Sequence, residues 1–211
     1  MRLVLASTSP ARLAVLRGAG IEPIVRPSDV DEDAVLAAAG PLSPAETVLA
    51  LARAKALAVA DSGEPHDALV LGGDSMFELD GAIHGKPGTP ERARDRWHAQ
   101  RGRTGTLWSG HWLVDRRAGH DGGEGVGAVK SAEVTFVDDL GHDEIEAYIA
   151  SGEPLQVAGA FTIDSLGGAF IERIDGDPST VIGISLPVVR ALSRELGCPW
   201  PGFWNRPGAA S

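Results

Sequence analysis

Apolar and polar positions follow two rhythms along this chain, and together they predict an alternation of short strands and amphipathic helices. Residues 2–6 form a short apolar run that predicts a buried strand. Ser9 then stands where a helix N-cap belongs, with Pro10 at the first helical position. Leu13 and Leu16 fall on one face of that helix, which should end near Gly18 or Gly20. Residues 21–27 predict a second strand, bounded by Pro23 and Pro27. Ser43-Pro44-Ala45-Glu46 is a capping box, and the Ala- and Leu-rich segment behind it predicts a helix to about Ala60. Ala68 to Gly72 predicts a buried strand that delivers Asp74 just past its C-terminal end. Phe77 to Ile83 predicts a hairpin turning at Asp80-Gly81, and Thr89-Pro90-Glu91 opens a helix to about Gln100.

Residues 105–115 and 129–137 alternate as paired strands. The linker around Gly122-Gly123-Glu124-Gly125 lacks the GxGxxG order and no helix signal follows it, so it reads as a plain hairpin loop. His142 to Ser151 predicts a helix, Gly167 to Ile174 a strand, and Leu186 to Leu196 a closing helix. The tail from Pro199, rich in Pro and Gly, is expected to pack loosely. Trp108 and Trp112 lie an even number apart on a strand and share a face, which reads as core or subunit-interface packing. Early strand–helix alternation followed by hairpins predicts an α/β fold, a mixed twisted sheet with flanking helices.

Composition sharpens this picture. The chain has 211 residues, 43% hydrophobic and 23% charged, which suits a globular core and excludes general disorder. With one cysteine, Cys198, an intrachain disulfide is excluded, and a reducing compartment fits. The N-terminal apolar run is too short for a signal-peptide core or a membrane span, so the expected location is cytoplasmic. A formal net charge of -10 argues against nucleic-acid binding through a basic surface. A phosphorylated small molecule remains open, provided that basic side chains stand at specific points.

Such points exist. Ser7, Ser9 and Arg12 surround a strand-to-helix turn, where free N–H groups and the helix dipole favour anions. The two hydroxyls and the guanidinium add donors suited to phosphate oxygens, although Ser9 as a simple cap and Arg12 as a solvated side chain would explain the same pattern. Asp74 ends a buried strand beside glycines, where α/β sheets commonly meet ligands, and Glu32 lies in an acidic loop. Two converging carboxylates could hold a divalent cation, and one could accept a proton from an attacking water. Asp29, Asp31 and Asp33 read as solvated loop charges. Lys55 lies in an otherwise apolar helix and Lys86 in a Gly-Lys-Pro turn; each is either a phosphate contact or an ordinary surface lysine. No HxxxH, HxH, GxxxxGK[ST] or GxSxG spacing occurs, which excludes the zinc, P-loop and nucleophile-elbow readings.

In order along the chain, LASTSPAR at 5–12, VDE at 30–32, AKA at 54–56, GGDSMFELDG at 72–81, GKP at 85–87 and GAFTIDSLGGAFIERIDGDPSTVIGISLP at 159–187 resemble the Maf family of nucleoside triphosphate pyrophosphatases. The resemblance covers nearly the whole chain and implies one Maf-like domain over 1–211, with an elongated, two-lobed, Maf/ITPase-like architecture and a central cleft. It implies cleavage between the α and β phosphates with a divalent cation, Mg²⁺ or Mn²⁺, as cofactor, and a role in clearing non-standard or surplus nucleotides. Asp74 would be the proton acceptor, and Glu32 and Lys86 would complete the catalytic set. Ser7, Ser9, Arg12, Lys55, Ser75 and Asp164 would hold the substrate, and Asp74 and Glu32 the metal. The implied partner is a nucleoside triphosphate, with no nucleic acid and no membrane; a homodimer stays open.

Three positions depart from the pattern of members that prefer dTTP and UTP: Ala11 in place of Arg, Ser75 in place of Thr, and Asp164 in place of Gln. An ionised Asp accepts hydrogen bonds from a base but cannot donate them as Gln can. Pyrimidine preference is therefore not carried over. A nucleotide-binding regulator of cell division with little turnover is the alternative from a different class. A sugar-phosphate hydrolase is the weaker third reading.

Overall fold

A computed structural model describes residues 1–63, 67–120 and 123–205. The elements run β1 (Arg2–Leu5), α1 (Pro10–Gly18), β2 (Ile24–Val25), α2 (Glu32–Ala39), α3 (Pro44–Ala60), β3 (Ala68–Leu79), β4 (Ala82–His84) and α4 (Pro90–Gln100). They continue with β5 (Thr104–Arg116), β6 (Val126–Phe136), α5 (His142–Ala150), three 3-10 turns (Glu153–Gln156, Ala158–Ala160, Leu166–Phe170), β7 (Ile171–Asp175), α6 (Pro178–Ile182), α7 (Leu186–Glu195) and a last 3-10 turn, Trp200–Phe203. The seven described strands form one mixed sheet in the order β2-β1-β3-β5-β6-β7, with β4 paired to β3. β1 runs parallel to β2 and β3, with Leu5 opposite Leu71. β4 is antiparallel to β3, and β7 to β6. The expected mixed α/β fold is what the chain forms.

The chain divides into two compact units: Met1–Asp74 with Ser109–Lys130 and Gly183–Ser211, and Ser75–Trp108 with Ser131–Ile182. In the first unit residues 3–5 of β1 and 68–71 of β3 are apolar without interruption because both faces are covered. Leu3, Leu5, Leu69 and Leu71 pack against Leu16 of α1 and Val189 and Leu192 of α7. The alternate residues Val4, Ala6 and Val70 pack against Ala56 and Val59 of α3. Two glycines let α3 lie directly on the strands. A Cβ on Gly72 would stand 2.1 Å from the Ala52 carbonyl oxygen, and one on Gly110 2.2 Å from that of Val48. Ser43 and Glu46 form the expected capping box of α3, which ends at Ala60. In the second unit the core is aromatic: Phe77, Trp97, Phe136, Tyr148 and Phe161 meet edge to face at 5.1–5.9 Å between ring centroids. Such pairs contribute about 0.5–1.5 kcal/mol each beyond their buried area.

Several expectations need correction. The second strand shrinks to two residues. The acidic stretch is not a loop: Asp31 caps α2 by accepting from the Ala34 N–H at 3.0 Å, and Glu32 and Asp33 occupy its first turn, where the helix dipole favours them. The strand from Ala68 does not stop at Gly72 but runs through Asp74 to Leu79, so Asp74 sits inside a strand. No strand starts at Gly167, because Gly167 and Gly168 close a 3-10 turn against Thr162 and Ile163; β7 begins at Ile171. The tail is packed as far as Asn205, with Phe203 buried and the Asn205 amide bonded to both backbone groups of Glu22; residues 206–211 lie outside the described residues. Trp108 and Trp112 are half-buried rather than core, their indole N–H groups donating to Glu78 and to the Glu124 carbonyl. Of the expected loop at 122–125, Gly122 lies outside the described residues, and 123–125 form no regular element.

Candidate active site

The first unit gathers six of the residues singled out in the sequence. β1 leaves the sheet at Leu5 and the chain turns into α1 through Ser7, Thr8 and Ser9. Ser9 Oγ accepts from the Arg12 N–H at 3.4 Å and caps the helix. Ser7 Oγ accepts twice, from the Ser9 N–H at 3.2 Å and from Arg12 Nη1 at 3.1 Å. Arg12 Nε donates to the Gly183 carbonyl at 3.1 Å. The guanidinium is thus held in place by the turn it serves. Among the described residues the N–H groups of Thr8 and Ala11 meet no acceptor. Donors without a protein acceptor among the described residues, at the positive end of a helix, suit an anion.

Beside the turn lies a charged cluster. Lys55 Nζ, buried on α3, stands 2.6 Å from Asp74 Oδ1 and 2.7 Å from Glu32 Oε1. Gly72 explains how this happens. Its missing Cβ lets α3 touch β3 at Ala52 and Ala56, which brings the lysine between them in sequence to the carboxylate two residues further along the strand. Gly73 lies against Arg12: a Cβ there would make ordinary contact, 3.5 Å from Arg12 Nε. Asp74 is only 8% exposed. Burial raises its carboxyl above the usual aspartate value, and Lys55 and Arg12 pull against that rise without cancelling it. Burial likewise lowers the Arg12 guanidinium, against the raising influence of Asp74 and Glu32.

Among the described residues no three or more His, Cys, Asp or Glu side chains gather as a metal site. Two carboxylates do converge, however, with Oδ1 of Asp74 and Oε1 of Glu32 sharing one ammonium. A cation already sits between them, so the pair can hold positive charge. One or two carboxylates completed by phosphate oxygens and water suit Mg²⁺, and the donor set fits such an ion.

The remaining candidates belong to the second unit. Ser75 follows Asp74 on β3 and is half-buried. Lys86 is exposed on its turn. That turn is braced from α4 by the Arg96 guanidinium, which donates to the Gly85 carbonyl, and by the Gly88 N–H, which donates to the Leu155 carbonyl at 3.1 Å. Asp164 is exposed at the apex of the bend 163–165 and makes no hydrogen bond or ion pair among the described residues. Sequence reasoning passed over one carboxylate here. Glu153 accepts five hydrogen bonds around that bend. Its only signal was its place after Gly152, which shows nothing of donors that arrive from residues nine to fourteen positions later.

The sequence pattern of the Maf-like protein family matches residues 2–196. The chain belongs to this family. Members of similar sequence include proteins named nucleoside triphosphate pyrophosphatase from Leifsonia xyli subsp. xyli, 62% identical over 100% of both chains, and from Corynebacterium diphtheriae, 50% identical over 97% of this chain and 99% of that one. A third Maf relative of the same name, from Nocardia farcinica, is 52% identical over 97% of both. Among the described residues of this Maf protein no helix is long and apolar enough to cross a membrane.

Proposed function

We propose that this Maf protein hydrolyses nucleoside triphosphates between the α and β phosphates, releasing the monophosphate and pyrophosphate. The observation that carries the proposal is the Asp74–Lys55–Glu32 cluster, with Asp74 and Lys55 buried, set against the Ser7–Ser9–Arg12 turn. A cradle for phosphate and a carboxylate with raised proton affinity, side by side, are what hydrolysis of a phosphoanhydride needs. The names of its relatives point the same way.

In this reading the free N–H groups of Thr8 and Ala11 and the Arg12 guanidinium take polyphosphate oxygens. Lys86, exposed on its turn, would add a positive charge for the polyphosphate. Asp74 accepts the proton of the attacking water. The water oxygen bonds to phosphorus, the bridging P–O bond breaks, and pyrophosphate leaves with the electron pair. Burial raises the Asp74 carboxyl, which favours its holding that proton. Lys55 keeps Asp74 and Glu32 together in the resting protein and is free to exchange one carboxylate for phosphate. A divalent cation held by Asp74 and Glu32 would neutralise phosphate charge. Ser75 and Asp164 would face the base, with the Asp164 carboxylate accepting from base N–H groups. Turnover would occur in the cytoplasm, where nucleotide pools lie, and would clear non-standard or surplus nucleotides.

A panel of ribo- and deoxyribonucleoside triphosphates incubated with Mg²⁺ or Mn²⁺, with products resolved by chromatography, tests the reaction. Monophosphate and pyrophosphate are expected in equal amounts. Diphosphate with orthophosphate would overturn the assignment of the cleaved bond. Tight binding without product would favour a regulator over an enzyme.

A further inference from the structure

Glu153 opens the 3-10 turn Glu153–Gln156 in the second unit. Its Oε1 accepts from the Tyr148 hydroxyl at 2.9 Å, the Thr162 hydroxyl at 2.5 Å and the Gly167 N–H at 3.0 Å. Its Oε2 accepts from the Ser165 hydroxyl at 2.7 Å and the Leu166 N–H at 3.2 Å. Four of these donors come from the single stretch 162–167, which closes around the carboxylate. The closure is tight: a Cβ on Gly167 would lie 2.4 Å from the Tyr148 hydroxyl and 2.8 Å from the Thr162 carbonyl, and one on Gly168 2.8 Å from that of Ile163. Within this ring every donor points inward to Glu153, while the one carboxylate of the stretch itself, Asp164, stays exposed and unbonded.

We infer that Glu153 is the positioning residue for base selection: by gathering residues 162–167 around one carboxylate it fixes how Asp164 is offered, so discrimination between bases depends on a side chain that touches no nucleotide. This rests on the reading of Asp164 as base-facing. Burial alone would push the Glu153 carboxyl up, but the Thr162, Ser165, Gly167 and Tyr148 donors outweigh it and hold it at about 2. The anchor therefore stays ionised at any pH at which the enzyme would work. The Lys86 turn is tied to the same 3-10 turn by a backbone bond from the Gly88 N–H to the Leu155 carbonyl. Losing the Glu153 charge therefore disturbs the Asp164 bend first, and the effect falls on KM and on choice of base rather than on kcat.

The test uses the full chain with Mg²⁺, measuring kcat and KM separately for ATP, GTP, CTP, UTP and dTTP. Glu153→Gln keeps the volume but turns an NH₂ group towards a ring of donors. Its ratio of kcat/KM between the best and worst base should move about tenfold towards unity, mostly through KM. Ser165→Ala, which deletes one donor beside Asp164, should move the ratio the same way by less. Asp164→Asn should redistribute the preferences, and adding Glu153→Gln to it should change them little further, because both act on one element. If Asp164→Asn redistributes preferences while Glu153→Gln and Ser165→Ala leave them unchanged, the positioning inference is overturned and the Asp164 reading stands. A flat profile for Asp164→Asn would overturn that reading and the inference with it. A uniform loss on every base would mark Glu153 as merely structural and overturn the inference. Should Glu153→Gln not fold, Ser165→Ala and Thr162→Val decide, and an unchanged profile in both overturns it.

Discussion

Asp74 and Glu153 are carboxylates with opposite fates. Asp74 is buried in the first unit and meets one ammonium at 2.6 Å, with Arg12 contributing its field. Glu153 is half-buried in the second unit and meets five donors. Burial raises the carboxyl in both. At Asp74 it prevails, and at Glu153 the hydrogen bonds prevail and hold the group at about 2. Depth and donor number together separate a carboxylate that can take a proton from one that serves as a peg. The first kind suits chemistry and the second suits architecture.

The largest effect that could break this contrast is on turnover. Asp74→Asn should lower kcat about 10³-fold, within the range for loss of a general base, as measured by pyrophosphate release. A variant that kept full turnover would remove Asp74 from the chemistry. In the unmodified enzyme, the acid limb of kcat should lie above the ordinary aspartate value of about 3.9, because burial raises Asp74. A limb at or below that value would contradict the raised carboxyl.

Next is the architecture that brings Lys55 to Asp74. Gly72→Ala should destabilise the protein by about 1–3 kcal/mol in denaturant unfolding, since the new methyl meets the α3 backbone. Gly73→Ala, whose Cβ finds only ordinary contacts, should cost under about 1 kcal/mol. Equal costs would show that close approach of α3 is not what Gly72 provides.

The pH dependence of stability separates the two carboxylates by sign. Glu153 has a depressed folded value, so its stabilisation is present above the ordinary glutamate value near 4.5 and is lost as pH falls towards about 2. Glu153→Gln should therefore cost about 1–3 kcal/mol at pH 7, and the difference from the unmodified protein should narrow on acidification. For Asp74 the raised folded value reverses the sign: its contribution is present below about 3.9 and lost as pH rises through the folded value. A Glu153→Gln penalty that did not depend on pH would argue against an ionised anchor. A small effect lies away from both sites. Ser43→Ala removes the α3 cap and should lower stability by about 1 kcal/mol, leaving base preference unchanged.

Much of the first unit was legible because its signals are local. Ser9-Pro10 and Ser43-Pro44-Ala45-Glu46 mark helix starts through bonds spanning three residues, and the structure keeps both. The apolar runs at 2–6 and 68–72 read as buried strands because they are short and bounded by turn signals. The acidic stretch was misread because Asp31 as a cap and Asp31 as a loop charge look alike until a helix is there to receive it. β3 was cut short at Gly72-Gly73 because glycine usually weakens a strand. Here Gly72 serves close packing against α3.

The amino-acid sequence by itself determined which residues could do chemistry, where the helices begin, and that basic side chains would be few and local. Those properties belong to residue type and short spacing, which survive without a fold. Only the tertiary structure decided that Lys55 would pair with Glu32 and Asp74 across 23 and 19 positions of chain, that Asp74 would sit within a strand, and that Glu153 would be ringed by the stretch that carries Asp164. Whether a carboxylate holds its proton or gives it up depends on what the fold brings against it.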